Sequence, residues 1–360
     1  MVNDEEIFFK RLTEAKAVPG NEQEVRDLFR EIVTPVADEI INDGLGGIAA
    51  KHRGDADNPV ILFASHMDEV GFMVTNITEK GFIKFQTLGG WWGQVILAQQ
   101  VTITTRDGKS IHGVVGSKPP HVLTAKTRKK PVDIKDMFID IGASSKKEVE
   151  DWGIVPGDMI TPYINYQRLN GSKYLLAKAW DNRIGIAVTL KVLENLANSG
   201  HPNTIFAGAN VQEEVGLRGA RTLTHLTNPD IAFALDTGIA GDTPEMTPKE
   251  ADSALGKGAQ IVFFDASMVA HTGLRNFVVD VAKKLSIPYQ PCFMPGGGTD
   301  AGQMHLSHNG VPSLAITVPV RYLHSHTSIV HEDDYHNMIK LVTEIIQRLD
   351  AQTVAKLKQG

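Results

Sequence analysis

Cysteine is nearly absent: Cys292 is the single thiol in 360 residues. An intramolecular disulfide is thereby excluded, and a lone thiol suits a reducing compartment. There is no cationic surplus either. Lys and Arg number 36 against 42 Asp and Glu, a formal net charge of −6, which argues against a general nucleic-acid binder. No run of about 18 apolar residues occurs, so no membrane span is expected. The opening MVNDEEIFFKRLTEAK is acidic and amphipathic, without the basic start and apolar core of a secretion signal. These absences predict a cytoplasmic protein that binds neither membrane nor nucleic acid. Repeats and low-complexity tracts are missing too.

What remains is ordinary globular material, 42% hydrophobic and 22% charged, in a chain long enough to bury a large core. Helical periodicity marks 4–16 and 21–40, the second with Asn21 as N-cap and Glu24 three residues on. The solid apolar run PVILFAS (59–65) reads as a buried strand. From about 70 to 170 the texture changes to short β-branched segments separated by Gly, Asp-Gly or Lys-Gly, the pattern of a small all-β unit. Within it, 119–137 is Pro-rich and basic and reads as a long loop, with His121 placed to reach a neighbouring subunit. Beyond 175 strands and helices alternate. A helix ends at Gly200, a strand covers 204–212, and a helix opens at Glu213; strands follow at 230–236 and 311–319, and helices at 272–285 and 332–350. Such alternation implies an α/β layer with a mostly parallel sheet. The expected organisation is a discontinuous α/β domain, 1–68 plus 172–360, interrupted by a β-rich insert at 69–171.

The chemistry-bearing residues gather where these strands end. VILFAS runs into His66, with Asp68 two residues on, and TIFAGANVQ runs into Glu213-Glu214. IAFALD ends in Asp236, LAITVP is followed by His324 and His326, and LLAKAWDNR puts Asp181 at a strand-to-helix junction. Ligands of open α/β sheets bind at the carboxyl ends of strands. Each residue alone has a bland explanation: Asp181 as a helix N-cap, Asp236 as turn chemistry, Glu213-Glu214 as the acidic first turn of a helix. Together, five acidic or imidazole groups at one edge repel one another unless a cation gathers them. Two His and three carboxylates exceed one tetrahedral zinc and suit two divalent ions, roughly 3.5–4 Å apart, bridged by a carboxylate. Imidazole with carboxylate favours Zn, Co or Mn over Ca or Mg. The adjacent glutamates, read as extended chain, point to opposite sides. If one binds metal, its neighbour is free to take a proton from the activated water. Swapping the two roles fits the spacing equally well.

The segments SHMDEVGFMV, AWDNRIG, NVQEEVGLRGA, ALDTG, GGGTDAG and RYLHSH, in this order, resemble metallopeptidase family 42, the tetrahedral di-metal aminopeptidases of glutamyl and leucyl type. The resemblance covers about residues 10 to 350. It implies an α/β/α aminopeptidase catalytic domain and a PDZ-like inserted dimerisation domain, with dimers assembling into a tetrahedral dodecamer. It further implies metal ligation by His66, Asp181 (bridging), Glu214, Asp236 and His324, with Glu213 as general base and Asp68 orienting the histidine. His324 and His326, two apart, would both lie on one face of an extended segment; the resemblance favours His324 as the ligand, leaving His326 behind it or in the pocket. Gly297, Thr299 and Asp300 belong to a Gly-rich stretch that lacks dinucleotide- and phosphate-loop spacing. The resemblance assigns them to the substrate loop. His52, His112, His201 and His225 are expected on the surface, and Trp91-Trp92 in packing or a dimer contact.

The function so implied is a metal-dependent aminopeptidase, with two Zn, Co or Mn ions per subunit, cleaving N-terminal residues from short peptides. The strand-like AQIVFFDAS (259–267) is apolar where a pocket for acidic residues would show a positive charge. Broad or leucyl-type specificity is therefore expected over glutamyl. A di-metal deacylase, an endoglucanase and a non-enzymatic assembly protein are the rivals. Glycosidases usually work with two carboxylates and no metal, and a structural metal site rarely needs a spare carboxylate.

Overall fold

A computed structural model describes residues 5–359; the expected helix start at Asp4 and the outer ends of the expected domains lie outside them. Helices α1 (Glu5–Glu14) and α2 (Gln23–Val33) lead into strands β1 (Glu39–Asn42), β2 (Ile48–Arg53) and β3 (Val60–His66). Six strands follow: β4 (Gly71–Ile77), β5 (Ile83–Leu88), β6 (Gln100–Thr104), β7 (Ser110–Gly116), β8 (Phe138–Asp140) and β9 (Met159–Pro162). Short helices α3 (Ala125–Arg128) and α4 (Lys146–Asp151) lie among them. Next come β10 (Gln167–Arg168), β11 (Tyr174–Ala177), α5 (Trp180–Ser199), β12 (Thr204–Asn210), α6 (Arg218–Thr227), β13 (Ile231–Ile239) and β14 (Ala259–Asp265). The chain closes with α7 (Thr272–Lys284), β15 (Tyr289–Met294), α8 (Ala301–Met304), β16 (Ser313–Val320), β17 (Ser328–His331), α9 (Glu332–Ile346) and α10 (Ala351–Leu357). Among the described residues no helix is long and apolar enough to cross a membrane.

Eight strands form one sheet in the order β1-β2-β12-β3-β13-β16-β14-β15. Its centre is parallel: β3 pairs with β12 and β13, and β13 with β16. Antiparallel pairs flank that centre, β12 with β2 on one side and β14 with β16 on the other. Helix α5 packs on β3 and β13 together with α9 and α1, while α6 and α8 cover the opposite face. Strands covered on both faces must be apolar along their length, and β3, β12, β13 and β16 are buried almost throughout. The six strands β4 to β9 close into a separate barrel around their own core, which includes Phe72, Ile103 and Ile139. This is the β-rich insert of the α/β layer. Strand β10 stands outside it, in a three-stranded sheet with β11 and β17.

Several local expectations fail for identifiable reasons. The helix expected over 21–40 stops at Val33, with Thr34 still helical and bonded to the Arg30 carbonyl, because Pro35 has no N–H with which to continue the ladder. Ile40 and Ile41 then pair with Ala50 and Ala49 as an edge strand. Asn21 does not cap α2: it bridges to Val18, Glu22 holds the cap position, and the Glu24 carboxylate accepts the Lys16 amide. His201 is buried rather than on the surface, hydrogen-bonded to His52 and Asn203. The RYLHSH segment is not extended either. Tyr322 and His324 have φ of 64° and 54°, so His324 and His326 do not share a face.

Candidate metal centre

His66 is the last residue of β3. Its Nδ1 lies 3.0 Å from the main-chain carbonyl of Asp68. A carbonyl only accepts, so Nδ1 carries a proton, which leaves Nε2 to face the carboxylates, as a donor in the imidazolium and as a free lone pair in the neutral ring. That Nε2 is 3.1 Å from Asp181 Oδ1, 3.5 Å from Asp236 Oδ1 and 4.0 Å from Glu213 Oε2. Asp181 reaches them because it is not capping a helix. It and Asn182 have non-helical backbone at the head of α5, joined by a cis peptide. Its other oxygen, Oδ2, stands 3.3 Å from His324 Nε2, which is 3.2 Å from Glu214 Oε2. One carboxylate thus lies between two imidazoles. Ligand atoms of His66, Glu213 and Asp236 fall within 4.8 Å of one another, and so do those of His66, Asp181 and Glu214.

The glutamate pair is neither on a strand nor in a helix, contrary to both sequence expectations. Strand β12 ends at Asn210, helix α6 starts at Arg218, and the pair occupies the turn between them. Gln212, at φ 55°, redirects the chain just before it. The Asp68 carboxylate then takes both amides: Glu213 N–H donates to Oδ1 and Glu214 N–H to Oδ2, each at 3.0 Å. Asp68 therefore orients His66 mainly through its carbonyl; its carboxylate lies 3.6 Å from Nδ1.

Burial pushes Glu213 well above the usual carboxylate range, and the charges of Asp236 and Glu214 push it further, against His66. Glu214 and Asp236 are raised first by burial and then by the Asp181 charge. Burial would lift Asp181 as well, but hydrogen bonds from His324 and His66 outweigh it and hold Asp181 below its ordinary value. Burial opposes charge on His66, yet the Glu213 carboxylate and the bonds to Asp181 and Asp236 raise it well above the ordinary imidazole. Crowded buried anions of this kind are what a cation relieves. The donor set fits: two imidazole Nε2 atoms facing inward, a carboxylate shared between them, and Glu214 Oε1 buried without any hydrogen bond.

The cluster opens into a cleft of roughly 830 Å³. Gly297 lines it, but Thr299 and Asp300 lie behind the wall, both buried. Thr299 donates to Asp265, and Asp300 accepts from Asn210, whose Cα lies opposite His66 in the sheet. His326 is buried too, against Trp91 and Phe72 of the barrel, with neither ring nitrogen hydrogen-bonded. Burial lowers it to about 4. Trp92 is exposed.

Sequence reasoning missed the support behind the cluster. Arg183, fully buried, donates to the carbonyls of Met67, Leu12, Ala15 and Ala17 and to Glu69 Oε1. Lys178 donates to both oxygens of Glu69 and to Ala15. These residues flank Asp181 and His66 in the chain. The available signal was the two cations that bracket the strand-to-helix junction KAWDNR, in a chain segment flanked by apolar runs.

Buried acid–imidazole clusters that open on a cleft at the carboxyl edge of an α/β/α sheet define the metal-dependent hydrolases. The chain belongs to the M42 glutamyl aminopeptidase family, whose model matches residues 46–341; a second model, AMPT, matches residues 3–29. It is accordingly an aminopeptidase of a family that uses divalent metal. A glutamyl aminopeptidase of Lactococcus lactis subsp. cremoris is 40% identical over 97% of this chain and 98% of its own length. A lysyl aminopeptidase of Pyrococcus furiosus is 33% identical over 95% and 96%. A TET aminopeptidase from a marine sediment Thaumarchaeota archaeon has a similar structure, with a TM-score of 0.96 at 44% identity, covering 98% of this chain and 99% of that one. The Pyrococcus horikoshii TET1 peptidase, described as able to assemble into a tetrahedron or a large octahedral shell, gives 0.85 at 30% identity over 96% and 99%.

Proposed function

We propose that the protein is a di-metal aminopeptidase that removes N-terminal residues from short peptides, with a broad or leucyl-type preference. The observation that carries the reading is Asp181, one oxygen beside His66 and the other beside His324. In this reading His66 and Asp236 would hold one divalent ion and His324 and Glu214 the other, with Asp181 offering one oxygen to each. Zn or Co suits the donors best, with Mn also compatible. When bound, such ions supply Lewis acidity to the scissile carbonyl and to the attacking water. Glu214 is the ligand rather than Glu213 because it is 3.2 Å from His324, whereas the imidazole of His66 is 4.0 Å from Glu213. Glu213 then takes a proton from the attacking water at its carboxylate and delivers it to the leaving amine as the C–N bond breaks. Asp68 holds the amides of both glutamates and, through its carbonyl, the ring of His66.

The cleft walls support the preference. Leu217, Ile239, Phe293, Met294 and Leu323 line them, and the single Lys or Arg there, Lys249, has Glu250 and Asp252 for neighbours. A pocket for an acidic side chain would present an unopposed cation. Release of p-nitroaniline from Leu, Ala, Lys and Glu p-nitroanilides tests this: Leu and Ala are expected to be cleaved fastest, and cleavage of Glu alone would overturn it. The likeness to TET1 supports a homo-oligomer, in this reading a dodecamer assembled from dimers joined through the barrel, and the lone cysteine supports a cytoplasmic setting. The separate cores of sheet and barrel support a division into 1–68 plus 172–360 and 69–171, with Tyr166 and β10, inside the second range, packing with the first.

A further inference from the structure

We infer that Glu22, far from the cluster in sequence, is a positioning residue for the general base. It sits at the N-terminus of α2, buried, and its Oε1 accepts the Gly20 amide at 2.6 Å and the Gln212 amide at 3.2 Å. With Asp68 it completes a clamp. Three consecutive amides, of Gln212, Glu213 and Glu214, end on two buried carboxylates. The turn needs such a clamp, because the sheet ladder has ended at Asn210 and the intrahelical bonds of α6 have not begun. Glu22 holds the residue at which the chain turns into the left-handed region, immediately ahead of Glu213. Asp68 fixes the peptides on either side of the Glu213 Cα, and Glu22 fixes the peptide one further back, so the Cα of Gln212, where the chain turns into Glu213, is held from both directions.

The arrangement also gives the N-terminal segment a task. The connection between α1 and α2 is tied into the site from behind: Ala15 and Ala17 carbonyls accept from Lys178 and Arg183, the Ala17 carbonyl accepts the Glu69 amide, and Glu22 reaches forward to Gln212. No ion pair among the described residues neutralises Glu22. Glutamine would supply the same acceptor without a buried charge, so what the clamp requires is reach and an acceptor atom.

The inference rests on Glu213 being the base, and the test separates the two. Glu22→Ala is expected to lower kcat about 10- to 100-fold, the cost of a reacting group misplaced by a fraction of an ångström to one ångström. KM and bound metal per subunit should be unchanged. Hydrogen exchange should show the Gln212 amide losing protection in this variant. Glu22→Gln should restore both kcat, to within about threefold, and protection. Glu22→Asp keeps the charge but falls short of Gln212, so it should reproduce the kcat loss even if the alanine variant does not fold. Wild-type kcat in Glu22→Asp, a glutamine variant as slow as the others, or a Gln212 amide protected in all of them would overturn the inference. If Glu213→Gln remains active, the base assignment fails instead, while exchange at Gln212 still reads the clamp.

Discussion

One side chain, Asp181, carries the proposed chemistry, because each of its oxygens faces a different imidazole. Its position at a strand-to-helix junction was legible in the sequence, as were those of His66 and Asp236 at strand ends. The rule that α/β sheets bind ligands at their carboxyl edges was enough. The backbone of the turn at 211–217 was not legible. Alternation along a strand gave the right outcome, two glutamates with different neighbours, for the wrong reason. What separates them is a left-handed residue at Gln212 and two amides held by Asp68, and neither leaves a periodic trace. Thr299 and Asp300, assigned to the substrate loop by the resemblance, turn inward instead, to Asp265 and Asn210. Cys292 is another inward residue, in the cleft wall but nearly buried. Burial, then the Asp265 charge, raises its thiol to about 11. It therefore stays neutral as pH rises to about 10. Native protein at pH 8 should resist iodoacetamide, with labelling appearing only on unfolding; rapid labelling of the folded protein would contradict the burial.

Among elements, α5 carries most of the load. Its first turn presents Asp181, and one residue later Asn182 donates to the Leu235 carbonyl, next to Asp236 on β13. Gly185 allows that approach, since a Cβ there would collide with Asn182 Oδ1 and the Leu235 carbonyl. Arg183 ties the same turn to the α1–α2 connection and to Met67, between His66 and Asp68. Long amphipathic helices and apolar strands such as these are easy to read, because period and burial agree. Short edge strands such as β1 and caps such as that of α2 are decided by a single proline or a tertiary contact, and so escaped. Replacing Arg183 with Met leaves Lys178 as the one cation beside the buried Glu69 carboxylate and takes a donor from four carbonyls, of which Ala15 keeps Lys178 and Ala17 keeps the Glu69 amide. The expected cost is about 3–5 kcal/mol, as for other broken buried pairs. It would be read as a clear fall in the thermal midpoint; an unchanged midpoint would show that the network contributes nothing net.

At the scale of the molecule, a sheet and a barrel with separate cores meet beside the site. His326, two residues from His324, packs on Phe72 and Trp91 of the barrel. The insert was legible as a change of texture near residue 70; its closure into a barrel depends on pairings between distant strands, which local patterns do not encode. Sheet, helices and barrel together bring groups from five segments into one acidic cluster, and the account stands or falls on what that cluster holds. Metal content and turnover of the wild-type protein and of Glu213→Gln, measured side by side on an amino-acyl p-nitroanilide, test it most directly. Two divalent ions per subunit are expected in both proteins. Turnover should fall about 10²- to 10⁴-fold in the variant, the usual contribution of a general base. Undiminished turnover in Glu213→Gln, or loss of its metal, would contradict the account.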